Sequence, residues 1–173
     1  SSLNTGLENI GAILHPAPVL LNTGWLESRD VFFPHYYYGI SRSIAGFLEK
    51  MDIERLAVAK KYGVEVRSVK QWHEDNYGTK GANLFETLQK NSAYASIDAP
   101  RSLNTRYITE DIPTGLVPIS ELGRAAGVKT PLMDLIIELG SNLLEVDFRK
   151  EGRNLSRLGL EGKSINEIKK SFE

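Results

Sequence analysis

Apolar residues recur most clearly between residues 41 and 62, where Ile44, Phe47, Leu48, Met51, Ile53, Leu56, Ala57 and Ala59 return mostly at steps of three and four. Side chains three and four apart share a helix face, so this spacing predicts one long amphipathic helix. Ser41 stands where a hydroxyl can cap the first turn, and Gly63 follows the last apolar residues as helix-ending glycines do. Shorter helices are predicted over 69–75, 83–90, 119–126, 131–146 and 165–172. Start signals support several of them: Ser68 precedes the first, Thr130 and Pro131 open another, and Ser164 with Glu167 has the spacing of a capping box. No stretch alternates with period two, and β-branched residues do not gather into strand-length runs. The pattern describes an all-α domain with no repeat and no internal boundary. Residues 152–163 read as a loop that carries Arg153 and Arg157 ahead of the terminal helix.

Composition narrows the classes of function. With 41% hydrophobic and 25% charged residues, the 173-residue chain has the balance of a folded globular protein, and its length suits one domain or a fragment. Lysine plus arginine (21) nearly cancel aspartate plus glutamate (22), which argues against a phosphate-backbone partner. Cysteine is absent, removing disulfides, thiolate metal sites and cysteine nucleophiles together. No apolar run approaches the roughly 20 residues that span a bilayer, and the opening SSLNTGLENIG lacks the parts of a secretion signal. The expected location is the cytoplasm, with neither membrane nor nucleic acid as partner.

Several motifs are missing. Among the 15 glycines no two are separated by a single residue, so G-x-G-x-x-G cannot be written, and no G-x-x-x-x-G-K-[ST] phosphate loop is present. His15, His35 and His73 show no metal-ligand spacing, and no metal is expected. No G-x-S-x-G turn is present either.

Two segments can carry chemistry. In NIGAILHPAPVLLN, residues 9–22, His15 directly precedes Pro16. The residue before a proline is disfavoured in helical geometry, so a helix through Ile13 should break at the histidine and restart near Pro16 or Pro18. An imidazole at such a break can face a cleft, or it can simply pack beside a kink. In RYITEDIPTGL, residues 106–116, Arg106, Glu110 and Asp111 lie within six residues, and Pro113 is expected to keep a helix from passing through Ile112. That places both acids just outside a helix starting at Pro113 or Thr114, where its dipole alone can explain them. The aromatic run VFFPHYYY, residues 31–38, suits core packing, with one tyrosine left as a candidate to reach a ligand. His35 and His73 are read as surface or hydrogen-bonded structural residues, and Trp25 and Trp72 have no evident partner.

Together these segments resemble the carboxy-terminal domain of the octopine/nopaline dehydrogenase family. The resemblance runs through five ordered blocks: NIGAILHPAPVLLN, MDIERLAVAKKYGV, NSAYASIDAP, RYITEDIPTGLVPISELGRAAGV and EGRNLSRLGL. It implies a helical bundle like the carboxy-terminal domain of 6-phosphogluconate dehydrogenase-like enzymes, spanning residues 1–173. A preceding Rossmann domain, outside this chain, would bind NAD(P)H. The implied reaction joins an amino acid and a 2-oxo acid as an imine, which reduced nicotinamide converts to a secondary amine.

By the same resemblance His15 takes the place of the catalytic histidine, Asp111 that of its carboxylate partner, and Arg106 that of a substrate-binding arginine. The residue types suit these roles. An unperturbed imidazole titrates near about pH 6.5, and a carboxylate on its other nitrogen fixes the tautomer. A guanidinium fork suits a carboxylate. Pro100 to Thr105, PRSLNT, and Tyr38 depart from the family's pattern, leaving the amino acid open. Two alternatives stand beside this reading: a 2-oxo acid or ketone reductase with the same helical domain, and a non-catalytic helical module used for homodimerisation.

Overall fold

The computed structural model describes residues 2–28 and 30–173. The chain is all-α: its described residues form helices joined by loops, with a single isolated bridge between Pro34 and Asp98. The organising element is the long helix α5 (Arg42–Lys61), preceded by α1 (Ser2–Leu7), α2 (Gly11–Leu14), α3 (Pro16–Leu21) and α4 (Thr23–Leu26). The oxygen of Ser41 accepts the Ile44 N–H, and Gly63 adopts φ +68°, so both ends of α5 close as the sequence indicates. Next come α6 (Val69–Tyr77) and α7 (Leu84–Gln89), then α8 (Arg106–Thr109), α9 (Val117–Ala125), α10 (Pro131–Leu144), α11 (Phe148–Glu151) and α12 (Ile165–Ser171). Ser164 and Glu167 form the expected capping box on α12. No helix among the described residues is long and apolar enough to cross a membrane.

Helix α5 departs from a simple amphipathic reading. Ile53 is 63% exposed, whereas Asp52 and Arg55 are buried beside Leu48, Met51 and Val58. Neighbours on more than one side explain the difference, because the buried stripe then follows the packing partners. Glu54 accepts N–H bonds from Leu132 (2.8 Å) and Met133 (3.0 Å), satisfying the first turn of α10 that Pro131 opens. Tyr62 donates to the carbonyl of Leu122 at 3.0 Å and ties α5 to α9.

Helices α1, α4, α8 and α11, of four to six residues each, are too short to show a periodicity, whereas α7, of six residues, is marked at its start by the cap Asn83. The histidines His35 and His73 are buried and hydrogen-bonded. Trp25 has a partner after all, stacking on Phe33 at 3.8 Å, and Trp72 packs edge-on against His73 and Tyr77.

Candidate active site

The break at His15 is a kink. The residue keeps a helical conformation, φ −104° and ψ −59°, and its N–H still donates to Gly11 at 3.0 Å. Prolines 16 and 18 cannot donate, so the carbonyls of Ala12 and Leu14 lose their helical partners. The loop after α4 answers the second loss, since His35 Nε2–H donates to the Leu14 carbonyl at 3.1 Å. Burial lowers the pKa of His35 to about 4, which keeps the ring neutral at ordinary pH.

In the second segment both acids fall between elements as expected, Glu110 closing α8 and Asp111 preceding the next turn, but Pro113 does not keep helical structure from Ile112. Asp111 is itself helical, φ −69° and ψ −27°, and the chain runs from α8 to α9 through a wide π-turn at Ile112–Leu116. There Val117 donates to Ile112, five residues back. Pro113 is accommodated because the widened turn relaxes the α-helical hydrogen-bond pattern that a proline breaks. Gly115 lets this turn lie against α2, for a Cβ there would sit 2.8 Å from that of Ala12.

These two distortions bring distant residues together. His15 Nδ1 lies 2.9 Å from Asp111 Oδ2 across 96 residues of sequence. A carboxylate only accepts, so Nδ1 carries a proton, and in the neutral ring Nε2 then presents a lone pair to which the Tyr36 hydroxyl, 3.0 Å away, can donate. Tyr107 stacks on the imidazole with centroids 4.0 Å apart and planes 8° from parallel. Burial, reinforced by neighbouring tyrosines, pushes the Tyr36 phenol up.

The side chains of His15 and Asp111 are 21% and 19% exposed, and they face a concavity of about 320 Å³ lined also by Arg106, Tyr107 and Glu110. Arg106 stands at the rim, 85% exposed, with Nε on Glu110 Oε2 at 2.6 Å. That contact raises the arginine's pKa and lowers the glutamate's. The concavity thus offers a hydrogen-bonded imidazole, an exposed guanidinium paired with Glu110, two carboxylates and a phenol. Among the described residues, no cluster of histidine, aspartate and glutamate could hold a metal ion. A larger groove of about 840 Å³ runs along Asn4, Glu8, Lys60 and Arg67, and none of the five residues lines it.

Sequence reasoning singled out His15, Asp111 and Arg106, and the structure gathers all three around one concavity. It missed Tyr36 and Tyr107. Tyr107 follows Arg106 directly in a segment already marked by charge, whereas Tyr36 lies in an aromatic run whose other members fill core or surface.

The chain matches the family described as NAD/NADP octopine/nopaline dehydrogenase, alpha-helical domain, over residues 1–144. It is 47% identical over 171 residues to an opine dehydrogenase of Arthrobacter sp. (strain 1C), covering 99% of this chain and 47% of that protein. Protein ocs of Agrobacterium tumefaciens (strain Ach5) is 30% identical over 160 residues, covering 92% and 45%. The solved structure of octopine dehydrogenase in complex with NADH and agmatine superposes with a TM-score of 0.76 at 22% identity, over 96% of this chain and 48% of that one, a likeness of fold. The chain spans about half the length of the curated relatives it matches. By sequence and by fold, it belongs to the octopine/nopaline dehydrogenase family and corresponds to its alpha-helical domain.

Proposed function

We propose that this chain is the acid/base and carboxylate-binding half of an opine dehydrogenase, residues 1–173 forming one helical domain beside a Rossmann domain. The observation that carries this reading is the 2.9 Å contact between His15 and Asp111, facing a concavity with Arg106 at its rim. The substrates are an amino acid and a 2-oxo acid. The amine attacks the oxo carbon, the former carbonyl oxygen leaves as water, and an imine remains. With Tyr36 giving up Nε2 to the substrate, His15 takes a proton from the attacking amine at Nε2 and passes it to the departing oxygen, while Asp111 holds Nδ1–H and stabilises the charged ring. Arg106 exchanges Glu110 for a substrate carboxylate at little cost, because a solvent-exposed ion pair gains little over its hydrated, separated partners.

A reduced NAD(P)H, when bound, supplies the hydride. This chain's donor set suits small carboxylates and amines, and it lacks the closely spaced glycines that let backbone amides approach a pyrophosphate, so cofactor binding falls to the companion domain. A cysteine-free chain also suits the cytoplasm. The rival helical dimerisation module finds less support, because His15 and Asp111 border an accessible polar hollow.

The test uses the complete protein. His15→Ala should lower kcat by about 100- to 10,000-fold with nicotinamide affinity nearly unchanged, and Arg106→Gln should mainly raise KM for the 2-oxo acid. Turnover of His15→Ala within a few-fold of the parent would remove the acid/base assignment. Equal turnover without any amino acid would instead favour a plain ketone reductase.

A further inference from the structure

We infer that Tyr36 is a positioning residue for His15: its buried hydroxyl holds Nε2, the ring nitrogen that Asp111 leaves free, and follows that nitrogen through its change of charge. The inference rests on the reading of His15 as general acid and base. Asp111 alone fixes one nitrogen and leaves the ring able to pivot about that bond. With Nε2 on Tyr36 at 3.0 Å and Tyr107 stacked at 4.0 Å, the imidazole is held at both ends and on one face.

Tyrosine suits this place because its hydroxyl both donates and accepts. Toward neutral His15 it donates to the Nε2 lone pair. Toward imidazolium it turns about its C–O bond and accepts the Nε2 proton until a substrate oxygen takes that proton in its place. The rest of the residue is kept still: Tyr36 is 5% exposed, stacks on Tyr94 at 3.8 Å and meets the edge of His35 at 4.8 Å. Other charged or titratable groups facing His15 are Asp111, Tyr107 and the mutually paired Arg106 and Glu110 from the α8–α9 run, and neutral His35 from the Tyr36 loop. None of these bonds Nε2.

Relative strengths set the sign of the effect. A hydrogen bond from a charged donor is roughly twice as strong as a neutral one, so loss of the hydroxyl harms imidazolium more than imidazole. Tyr36→Phe removes one oxygen and keeps the stacked ring. Tyr94→Phe is the packing control: its hydroxyl bonds His73 Nε2 at 2.7 Å and does not touch His15.

Imidazole 1H–15N spectra of the complete protein, recorded across pH, read His15 directly. Tyr36→Phe should lower its titration midpoint by about 0.5–1 pH unit. The same variant should reduce kcat about 5- to 10-fold while KM for the 2-oxo acid changes less than about twofold. Tyr94→Phe should move neither the midpoint nor the ratio of kcat to KM. An unmoved midpoint in Tyr36→Phe, or an equal shift in both variants, would overturn the positioning role even if His15→Ala is inactive. Undiminished turnover of His15→Ala would overturn the acid/base reading first, and the positioning role with it.

Discussion

A histidine's surroundings decide whether it serves chemistry or stability, and this chain places two such residues side by side. His15 opens toward a polar hollow, whereas the His35 ring 6.1 Å away is closed off and neutral. Burial is the main cause of the His35 shift, the bond to Leu14 opposes it, and nearby His15 adds slightly to it. The unfolded chain's histidine takes up a proton near about pH 6.5, while folded His35 waits until about 4. Between those values the unfolded state binds more protons, so stability falls as pH falls through this window, by about 3 kcal/mol in all. His73, lowered by burial as well, adds in the same direction. Urea midpoints measured from pH 7.5 down to about 4.5 should trace this loss, and His35→Gln, which can keep an N–H for Leu14, should flatten it. An unchanged slope in that variant would assign the acid sensitivity elsewhere. Resemblance made His15 and Asp111 legible, since a separation of 96 positions hides their contact from any spacing rule. Tyr36 stayed hidden because burial and stacking give it the signature of an ordinary core aromatic.

At the scale of elements, rules written for regular helices worked where the helices are regular. Ser41, Ser68 and Ser164 each cap as their positions imply, because a hydroxyl followed by a helical turn needs only local geometry. Pro113 misleads because the rule that proline ends a helix assumes four-residue bonds, and here the turn widens to five. That widening leaves its own mark. The Pro113 carbonyl would next seek the N–H of residue 118, itself a proline, and accepts instead from Arg153 N–H at 2.8 Å. Residue 152 must be small for this closure, since a Cβ there would lie 2.6 Å from the Phe148 carbonyl oxygen and 2.8 Å from that of Pro113. Both obstacles are backbone atoms. Gly152→Ala should therefore cost about 1–3 kcal/mol and speed amide exchange at Arg153. Gly46, inside α5, provides the opposite case, since a methyl group there would meet nothing within 4 Å, and Gly46→Ala should stabilise by up to about 1 kcal/mol. Thermal denaturation of the two variants compares them directly, and shifts of the same sign would contradict the steric account.

Across the whole molecule, the all-α class was legible because periodicity and capping agree over most of the chain, yet the centre of the assembly was not. Asp52 and Arg55 sit three residues apart in a helix whose apolar spacing had suggested Ile53 as its inner face. Their role is tertiary: Arg55 donates to Asp52 (2.8 Å) and to the carbonyls of Leu7 and Arg67 (both 2.6 Å), while Asp52 accepts the Val69 N–H at 2.7 Å. One buried ion pair thereby joins α1, α5 and the start of α6. Burial raises the pKa of Asp52, and Arg55 opposes that rise. Removing only the cation leaves a carboxylate enclosed without its partner, so Arg55→Leu should cost about 3–5 kcal/mol. Adding Asp52→Asn removes that charge and retains an oxygen for Val69, so the double variant should recover part of the loss. Urea unfolding of the single and double variants separates the two contributions. If the double variant is no more stable than Arg55→Leu, the lost bonds to Leu7 and Arg67, rather than the stranded charge, dominate the cost and make the arginine chiefly a tether for α1.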